Sequence, residues 1–132
     1  MYFLEKEFWI SCSHRLNNDN LTEQENKELF GKCSNFPSHG HNYKVILKFK
    51  SEEVSLKTGM IINFYTIKDV FNENIDRVFD HKHLNNCPDF VGIIPTAENM
   101  CRVFFDVLSP LLPNLYSVKI YETEGACAEY AK

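Results

Sequence analysis

The chain has 132 residues and a formal net charge of −4, and 44% of its residues are hydrophobic. This length supports one domain with a substantial core but not two, and the negative charge without any basic run argues against general nucleic-acid binding. No apolar run is long enough to cross a membrane and no secretory pattern opens the sequence, so we expect a cytoplasmic protein. The five cysteines are scattered along the chain, which favours reduced thiols over a disulfide framework.

Four stretches of the chain alternate between apolar and polar residues, as half-buried strands do. They cover residues 2–12, about 39–50, about 115–123 and about 126–131. In the first stretch the apolar parity continues beyond its end to His14, so a strand that ran this far would place that imidazole on the buried face.

Two longer segments have the periodicity of amphipathic helices. The first covers residues 65–78, and the second begins after a candidate N-cap at Thr96 and ends near Pro110. A shorter helix is predicted after the capping box that Thr22 and Glu25 form. The order strand, strand, helix, helix, strand, strand predicts an α+β domain. We expect a four-stranded antiparallel sheet with two main helices on one face.

Histidines at the ends of two predicted strands are candidate metal ligands. His39 and His41 lie two residues apart on the apolar parity of the second strand, so both imidazoles point to the same face. With His14 on the neighbouring strand they make a three-ligand set with one open position, which is typical of catalytic rather than structural zinc. The alternative is that these histidines are simply packed at the strand ends.

A thiol and an acid–imidazole pair accompany these histidines. Cys33 lies in an irregular segment just before His39, and a nearby cation would favour its thiolate. Asp80 directly precedes His81 and can orient and charge that imidazole. A metal, a thiol and such a pair suit proton abstraction from a carbon or hydroxyl held on the metal, provided that the fold brings the two clusters together.

Glu122 falls on the apolar parity of the third strand, where a carboxylate is costly unless it has a partner. Either the strand has emerged into solvent at this point, or the carboxylate receives a cationic or donor-rich ligand.

With these residues the sequence resembles the 6-pyruvoyl-tetrahydropterin synthase family, which also contains the 6-carboxytetrahydropterin synthases. The resemblance spans nearly the whole chain and is carried by seven short motifs: Ser13–Leu16, Phe30–Cys33, His39–Tyr43, Thr58–Met60, Asp80–Lys82, Pro95–Asn99 and Tyr121–Thr123. The cysteine before His-Gly-His and the later Asp-His are the most specific of them.

The resemblance implies the tunnelling fold, a barrel-like homohexamer built as a dimer of trimers with active sites between subunits. It implies zinc as the cofactor, Cys33 as the general base and a proton relay through Asp80 and His81. Glu122 would anchor the pterin ring, and Thr96 and Glu98 would belong to the pterin pocket. The implied zinc ligands are His14, His39 and His41.

The implied substrate is 7,8-dihydroneopterin triphosphate, and the implied reaction forms 6-pyruvoyl-tetrahydropterin with elimination of triphosphate. Five residues separate Cys33 from His39, the longer spacing of pyruvoyl-forming members, whereas carboxy-forming members usually have three. Two alternatives stay open: a 6-carboxytetrahydropterin synthase of deazaguanine biosynthesis, and a non-catalytic pterin-binding domain. A third branch of the family carries glutamate in place of this cysteine, and Cys33 argues against membership of that branch.

Overall fold

The computed structural model describes all residues from Met1 to Lys132. Its strands and helices follow in chain order: β1 (Tyr2–His14), α1 (Glu23–Phe30), β2 (His39–Ser51), α2 (Phe64–Phe71), α3 (Arg77–Phe79), β3 (Lys82–His83), α4 (Ala97–Leu108), β4 (Leu115–Thr123) and β5 (Ala126–Ala131). None of the helices combines the length and the apolar character that crossing a bilayer requires.

The strands form one sheet in the order β3-β1-β2-β4-β5. The four long strands are antiparallel neighbours, which confirms the predicted sheet. The prediction of four strands was incomplete, because β3 adds a fifth strand that pairs parallel to β1 through Cys12–Lys82 and Ser13–His83. Two residues are too few to show an alternating pattern, so β3 could not be read from the sequence.

The core lies between one face of the sheet, called the inner face here, and the helices. The inner-face residues Tyr43, Val45, Leu47 and Phe49 of β2 are fully buried. Phe71 of α2 stacks on Phe8 of β1 at 3.9 Å between ring centroids, while α4 packs on β4 and β5. The helices therefore cover the inner face along its whole width, as the fold prediction requires.

The helix predicted over residues 65–78 is present but contains an irregular turn. Asn63 caps α2 by accepting from the Tyr65 N–H at 2.8 Å. A π-helical turn at Asn72–Asp76 joins α2 to α3, and the whole run ends immediately before Asp80. Such a turn shifts the phase of the helix by about one residue, and π-turns recur at functional sites.

The opposite face of the sheet, called the outer face here, is polar and aromatic. Trp9 is 64% exposed, and the Lys44 ammonium lies 6.0 Å from its ring centroid and 4.5 Å from that of Tyr121. Lys48 pairs with Glu129 at 3.0 Å on the same side. Cation–π and ionic contacts therefore cover this face in place of helices.

Candidate functional site

The pairing register of β1 and β2 assembles a cluster of three imidazoles. His14 lies directly opposite His39, and Cys12 lies opposite His41. Since directly paired residues of antiparallel strands point to the same face, all four side chains lie on the inner face. β1 runs two residues further than predicted, and His14, its last residue, is fully buried. The sheet thus gathers the three predicted ligands at one end of the core.

The three imidazoles converge closely. The Nε2 atoms of His14 and His39 are 3.0 Å apart. The ring centroid of His41 lies 5.1 Å from that of His14 and 4.9 Å from that of His39. One ligand atom from each residue can be chosen so that all three lie within 4.8 Å of one another. Nitrogens bound tetrahedrally to one zinc ion are about 3.3 Å apart, given a Zn–N distance near 2.05 Å. The cluster fits a single transition-metal ion.

A backbone carbonyl fixes the orientation of His14. Its Nδ1 lies 2.8 Å from the Pro95 oxygen, and because a carbonyl can only accept, Nδ1 must carry the proton. Nε2 is then left with its lone pair toward the other two imidazoles, the arrangement of a metal-binding histidine with an outer-shell partner. Burial lowers the pKa of His14, which favours the neutral form that a metal requires. No side-chain pattern in the sequence indicates this role for Pro95.

His41 supplies an unpaired nitrogen. Its Nε2 is buried and makes no hydrogen bond, although Glu122 Oε1 lies 3.3 Å away, because the geometry at that distance is not that of a hydrogen bond. Burial lowers the pKa of His41; the Glu122 carboxylate opposes this shift, and His39 adds to it. Buried polar atoms without a partner are rare in native proteins, and an unbonded ring nitrogen in a three-imidazole cluster is well suited to coordinate an ion.

The 3₁₀ turn Gly31–Ser34, called the thiol turn here, carries Cys33 beside this cluster. Gly31 ends α1 with φ +57°, a backbone conformation that side chains disfavour. Cys33 is half-buried and lines a small cavity of about 310 Å³ together with His39, Lys32, Asn35 and Ser38. The thiol and one candidate metal ligand therefore face the same space.

Asp80 and His81 form a pair along the other edge of β1. Asp80 Oδ2 lies 2.7 Å from His81 Nδ1, while its Oδ1 accepts the Ser11 N–H at 2.8 Å. The His81 N–H donates to the Ser11 carbonyl at 2.6 Å, with His81 itself at φ +59°. Partial burial acts to raise the pKa of Asp80, but the Ser11 N–H and the His81 side chain outweigh it and hold the pKa below its ordinary value. The pair is thus pre-oriented, and the His81 ring is 80% exposed.

The structure does not bring this pair to the thiol turn of the same chain. β2, with His39 and His41, lies on one side of β1, whereas β3 and the pair before it lie on the other side. Asp80 and His81 line a cavity of about 410 Å³ with Trp9, Ser11 and Asn42 of the outer face. A second cavity, of about 550 Å³, is lined by both His41 and His81, so the pair approaches one imidazole of the cluster, whereas Cys33 lines a different cavity with His39.

The three predicted substrate-binding residues lie in different settings. Glu122 is half-buried near the end of β4, just beyond the last pair that β4 makes with β2, Tyr121 with Lys44, and its carboxylate lies beside His41. The Thr96 hydroxyl accepts the Asn99 N–H at 3.2 Å and so caps α4. Glu98 is exposed in the first turn of that helix. Thr96 therefore has a structural task, next to the carbonyl that orients His14.

The chain, an α+β domain with an imidazole cluster and a neighbouring thiol, is similar in sequence to known proteins. The family model described as "6-pyruvoyl tetrahydropterin synthase" matches residues 3–132. The human 6-pyruvoyl tetrahydrobiopterin synthase is 41% identical over 124 residues, which cover 92% of this chain and 85% of that protein. The chain belongs to the 6-pyruvoyl tetrahydropterin synthase family.

Solved structures support the same assignment. The structure of Caenorhabditis elegans 6-pyruvoyl tetrahydropterin synthase superposes with a TM-score of 0.92 at 32% identity, covering 99% of this chain and 95% of that chain.

A putative 6-carboxy-5,6,7,8-tetrahydropterin synthase from Archaeoglobus fulgidus is 34% identical over 91 residues, covering 69% of this chain and 73% of that protein. The match to the carboxy-forming relative is thus shorter than the match to the human protein.

Proposed function

We propose that this chain is a zinc-dependent 6-pyruvoyl-tetrahydropterin synthase, which converts 7,8-dihydroneopterin triphosphate to 6-pyruvoyl-tetrahydropterin and triphosphate. The observation that carries the proposal is the convergence of three buried or half-buried imidazoles beside the Cys33 thiol. The match to the human 6-pyruvoyl tetrahydrobiopterin synthase over 92% of this chain supports it. The conversion is an elimination with internal redox transfer, so it needs no external oxidant.

His14, His39 and His41 would hold the metal. Three nitrogens are fewer ligands than zinc commonly takes, so an ion held by them would stay accessible to substrate. When bound, it would supply Lewis-acid chemistry that makes a C–H beside a substrate oxygen more acidic. The Pro95 carbonyl would keep His14 in the tautomer that binds through Nε2.

Cys33 would take the proton from the substrate carbon as its thiolate. Its place at the cavity that His39 also lines lets Sγ approach a substrate held by the imidazoles. In this role Cys33 acts on the substrate and not on the metal, so metal content and turnover depend on different side chains.

We assign the proton relay to Asp80 and His81 of a neighbouring copy. The pair lies away from the thiol turn of its own chain, and its imidazole is exposed. Asp80 would hold the Nδ1 proton of His81 and leave Nε2 free to exchange a proton at the neighbour's site.

Self-association suits the open edges of the sheet. β3 pairs only with Cys12 and Ser13, so most of β1 has an unpaired edge, and β5 is unpaired at the opposite side of the sheet. Unpaired edges can join neighbouring sheets. Beside the first half of β1 lies an apolar cavity of about 930 Å³, lined by Phe3, Met60 and Phe64 among others. We propose a homohexamer built as a dimer of trimers.

Glu122 would bind the pterin ring. Its carboxylate can accept two hydrogen bonds from the guanidine-like edge of a pterin. The pterin would then be the donor-rich ligand that the strand pattern predicts for this carboxylate. Glu98 and Thr96 would contribute at the rim of the same pocket, Thr96 through the position of its helix terminus more than through its occupied hydroxyl.

The test is to incubate zinc-loaded protein with 7,8-dihydroneopterin triphosphate and to identify the pterin product by mass. A retained three-carbon side chain with released triphosphate is the expected result. A carboxyl product with acetaldehyde would assign the chain to the carboxy-forming branch. Tight pterin binding without any product would make it a non-catalytic binding domain, and either result would overturn the proposal.

A further inference from the structure

Few hydrogen bonds fix the thiol turn to the rest of the fold. Apart from bonds within the turn, to α1 and from the adjoining Asn35 N–H, it receives one from the Leu16 N–H to the Cys33 carbonyl at 2.9 Å and one from Arg15 Nε to the Ser34 carbonyl at 2.7 Å. The first is a main-chain bond that most residues at position 16 would form. The second depends on the Arg15 side chain alone.

Arg15 is itself held on both of its main-chain polar groups. Asn85 Oδ1 accepts the Arg15 N–H at 2.9 Å, and Asn85 Nδ2 donates to the Arg15 carbonyl at 2.8 Å. The guanidinium also lies over the Phe36 ring at 5.5 Å. Asn85 belongs to the 3₁₀ turn Leu84–Asn86, which directly follows β3. One arginine therefore joins the end of β1, the thiol turn and the segment after β3.

Arg15 links the thiol turn to the imidazole cluster because it directly follows His14 in the chain. His14, the residue before it, directs its imidazole to the inner face, and alternation along the strand end sends the Arg15 side chain the other way. From there it reaches back to Ser34, the neighbour of Cys33. The separation between the thiol and the imidazole cluster is thus set by residues 15 and 16.

We propose that Arg15 and Asn85 are positioning residues that fix the Cys33 thiol relative to the three imidazoles. As a statement about turnover this inference rests on the proposed function; as a statement about the thiol it does not. Displacing a reacting group by about 1 Å can lower the rate about 100-fold. A thiol turn held only by the Leu16 N–H should therefore show a measurable loss of rate.

The test compares Arg15→Ala and Arg15→Lys in a Cys127→Ser background, which removes the exposed thiol on β5. Alkylation of Cys33 by iodoacetamide is followed by peptide mass spectrometry, without substrate and at one fixed pH for all variants. We expect several-fold faster alkylation in Arg15→Ala, because the released turn exposes Sγ. Arg15→Lys should restore much of the protection, since an ammonium can also donate to the Ser34 carbonyl.

Steady-state kinetics supply the second measurement. For Arg15→Ala we expect kcat to fall about 10- to 100-fold, as for other residues that orient an active group, with KM and bound metal nearly unchanged. The matched control is Arg77→Ala, an exposed arginine paired only with Glu73 on its own helical run. Asn85→Asp, which keeps the acceptor for the Arg15 N–H and loses the donor, should give an intermediate effect and serves if Arg15→Ala does not fold.

An unchanged alkylation rate in Arg15→Ala, or in Asn85→Asp if that variant has to serve, would overturn the inference whatever the kinetics. A raised KM at constant kcat would also overturn it, because Arg15 would then contact substrate directly. If the unaltered protein formed no product at all, the proposed function would fail, while the alkylation rates would still decide the positioning role.

Discussion

The two edges of β1 present opposite kinds of chemistry. On the edge shared with β2, three buried or half-buried imidazoles converge in a cluster whose hydrogen bonds and register lie within one chain. On the other edge, Asp80 and His81 are anchored to Ser11 but direct an exposed ring away from the core. The first region is a candidate metal site with three converging ligands, whereas the second is an oriented acid–imidazole pair on the side of β1 away from β2.

This difference shows what one chain can and cannot build. A metal site needs ligands fixed to within a fraction of an ångström, which paired strands provide. A proton relay needs an imidazole that can reach a substrate, and here that ring is exposed and lies on the side of β1 away from β2. Experiments that separate metal binding, thiol chemistry and the exposed pair therefore test the comparison directly.

The largest expected effect is the loss of the metal itself. His39→Ala removes one of the three converging nitrogens and should reduce bound zinc from about one per chain to near zero, with activity falling to background. Zinc is measured by elemental analysis after dialysis. The outer-face histidine His83, which bonds to Ser13, gives the control variant His83→Ala, and its zinc content should stay unchanged. Full zinc content in His39→Ala would show that the ion is not held by this cluster.

A mixed oligomer tests whether the two edges act in different copies. Cys33→Ala should keep its zinc and lose at least about 100-fold in kcat, and His81→Ala should also be severely impaired. If the thiol of one chain works with the imidazole of another, co-refolding the two variants at equal amounts restores about one-quarter of the sites, since half of the positions of each kind are intact. Activity that stays at the level of the single variants would place both groups in one chain.

Much of this arrangement could be predicted because it rests on local periodicity. The parity of β2 put His39 and His41 on the buried face, and the same rule carried His14 there once β1 reached its full length. The capping box at Thr22 and Glu25 and the N-cap at Thr96 were also found where predicted. These features depend on neighbours within a few residues, which the sequence displays.

The features that were missed depend on contacts between distant residues. The Pro95 carbonyl that orients His14 is a main-chain atom 81 positions away, so no side-chain pattern announces it. The separation of Asp80 from Cys33 follows from strand order, and β3 is too short to read. The two hydrogen bonds between the Asn85 side chain and the Arg15 main chain likewise span 70 positions. Each is a consequence of tertiary packing that local propensity cannot encode.

The hydrogen bonds of Asp80 predict a modest dependence of stability on pH in the acid range. Because the folded pKa of Asp80 lies below its ordinary value of 3.8, its contribution to stability is present above that value and is lost as the pH falls through the lower folded pKa. Asp80→Asn should therefore flatten the dependence of the urea midpoint on pH below about 4 and leave its slope near pH 7 unchanged. Asp106→Asn, at an exposed helical position, is the control. An equally steep acid limb in Asp80→Asn would contradict the linkage.

The smallest effect concerns the helix terminus next to the imidazole cluster. Thr96→Ala and Thr22→Ala each remove a side-chain cap, and each should cost about 1 kcal/mol of stability. Only Thr96 adjoins the Pro95 carbonyl that orients His14, so only Thr96→Ala should also weaken zinc affinity, by a few-fold, in a competition titration with a chromogenic chelator. If both variants lost the same stability and neither changed zinc affinity, the start of α4 would act on the fold alone, and the Pro95 carbonyl would not need its cap to hold the imidazole.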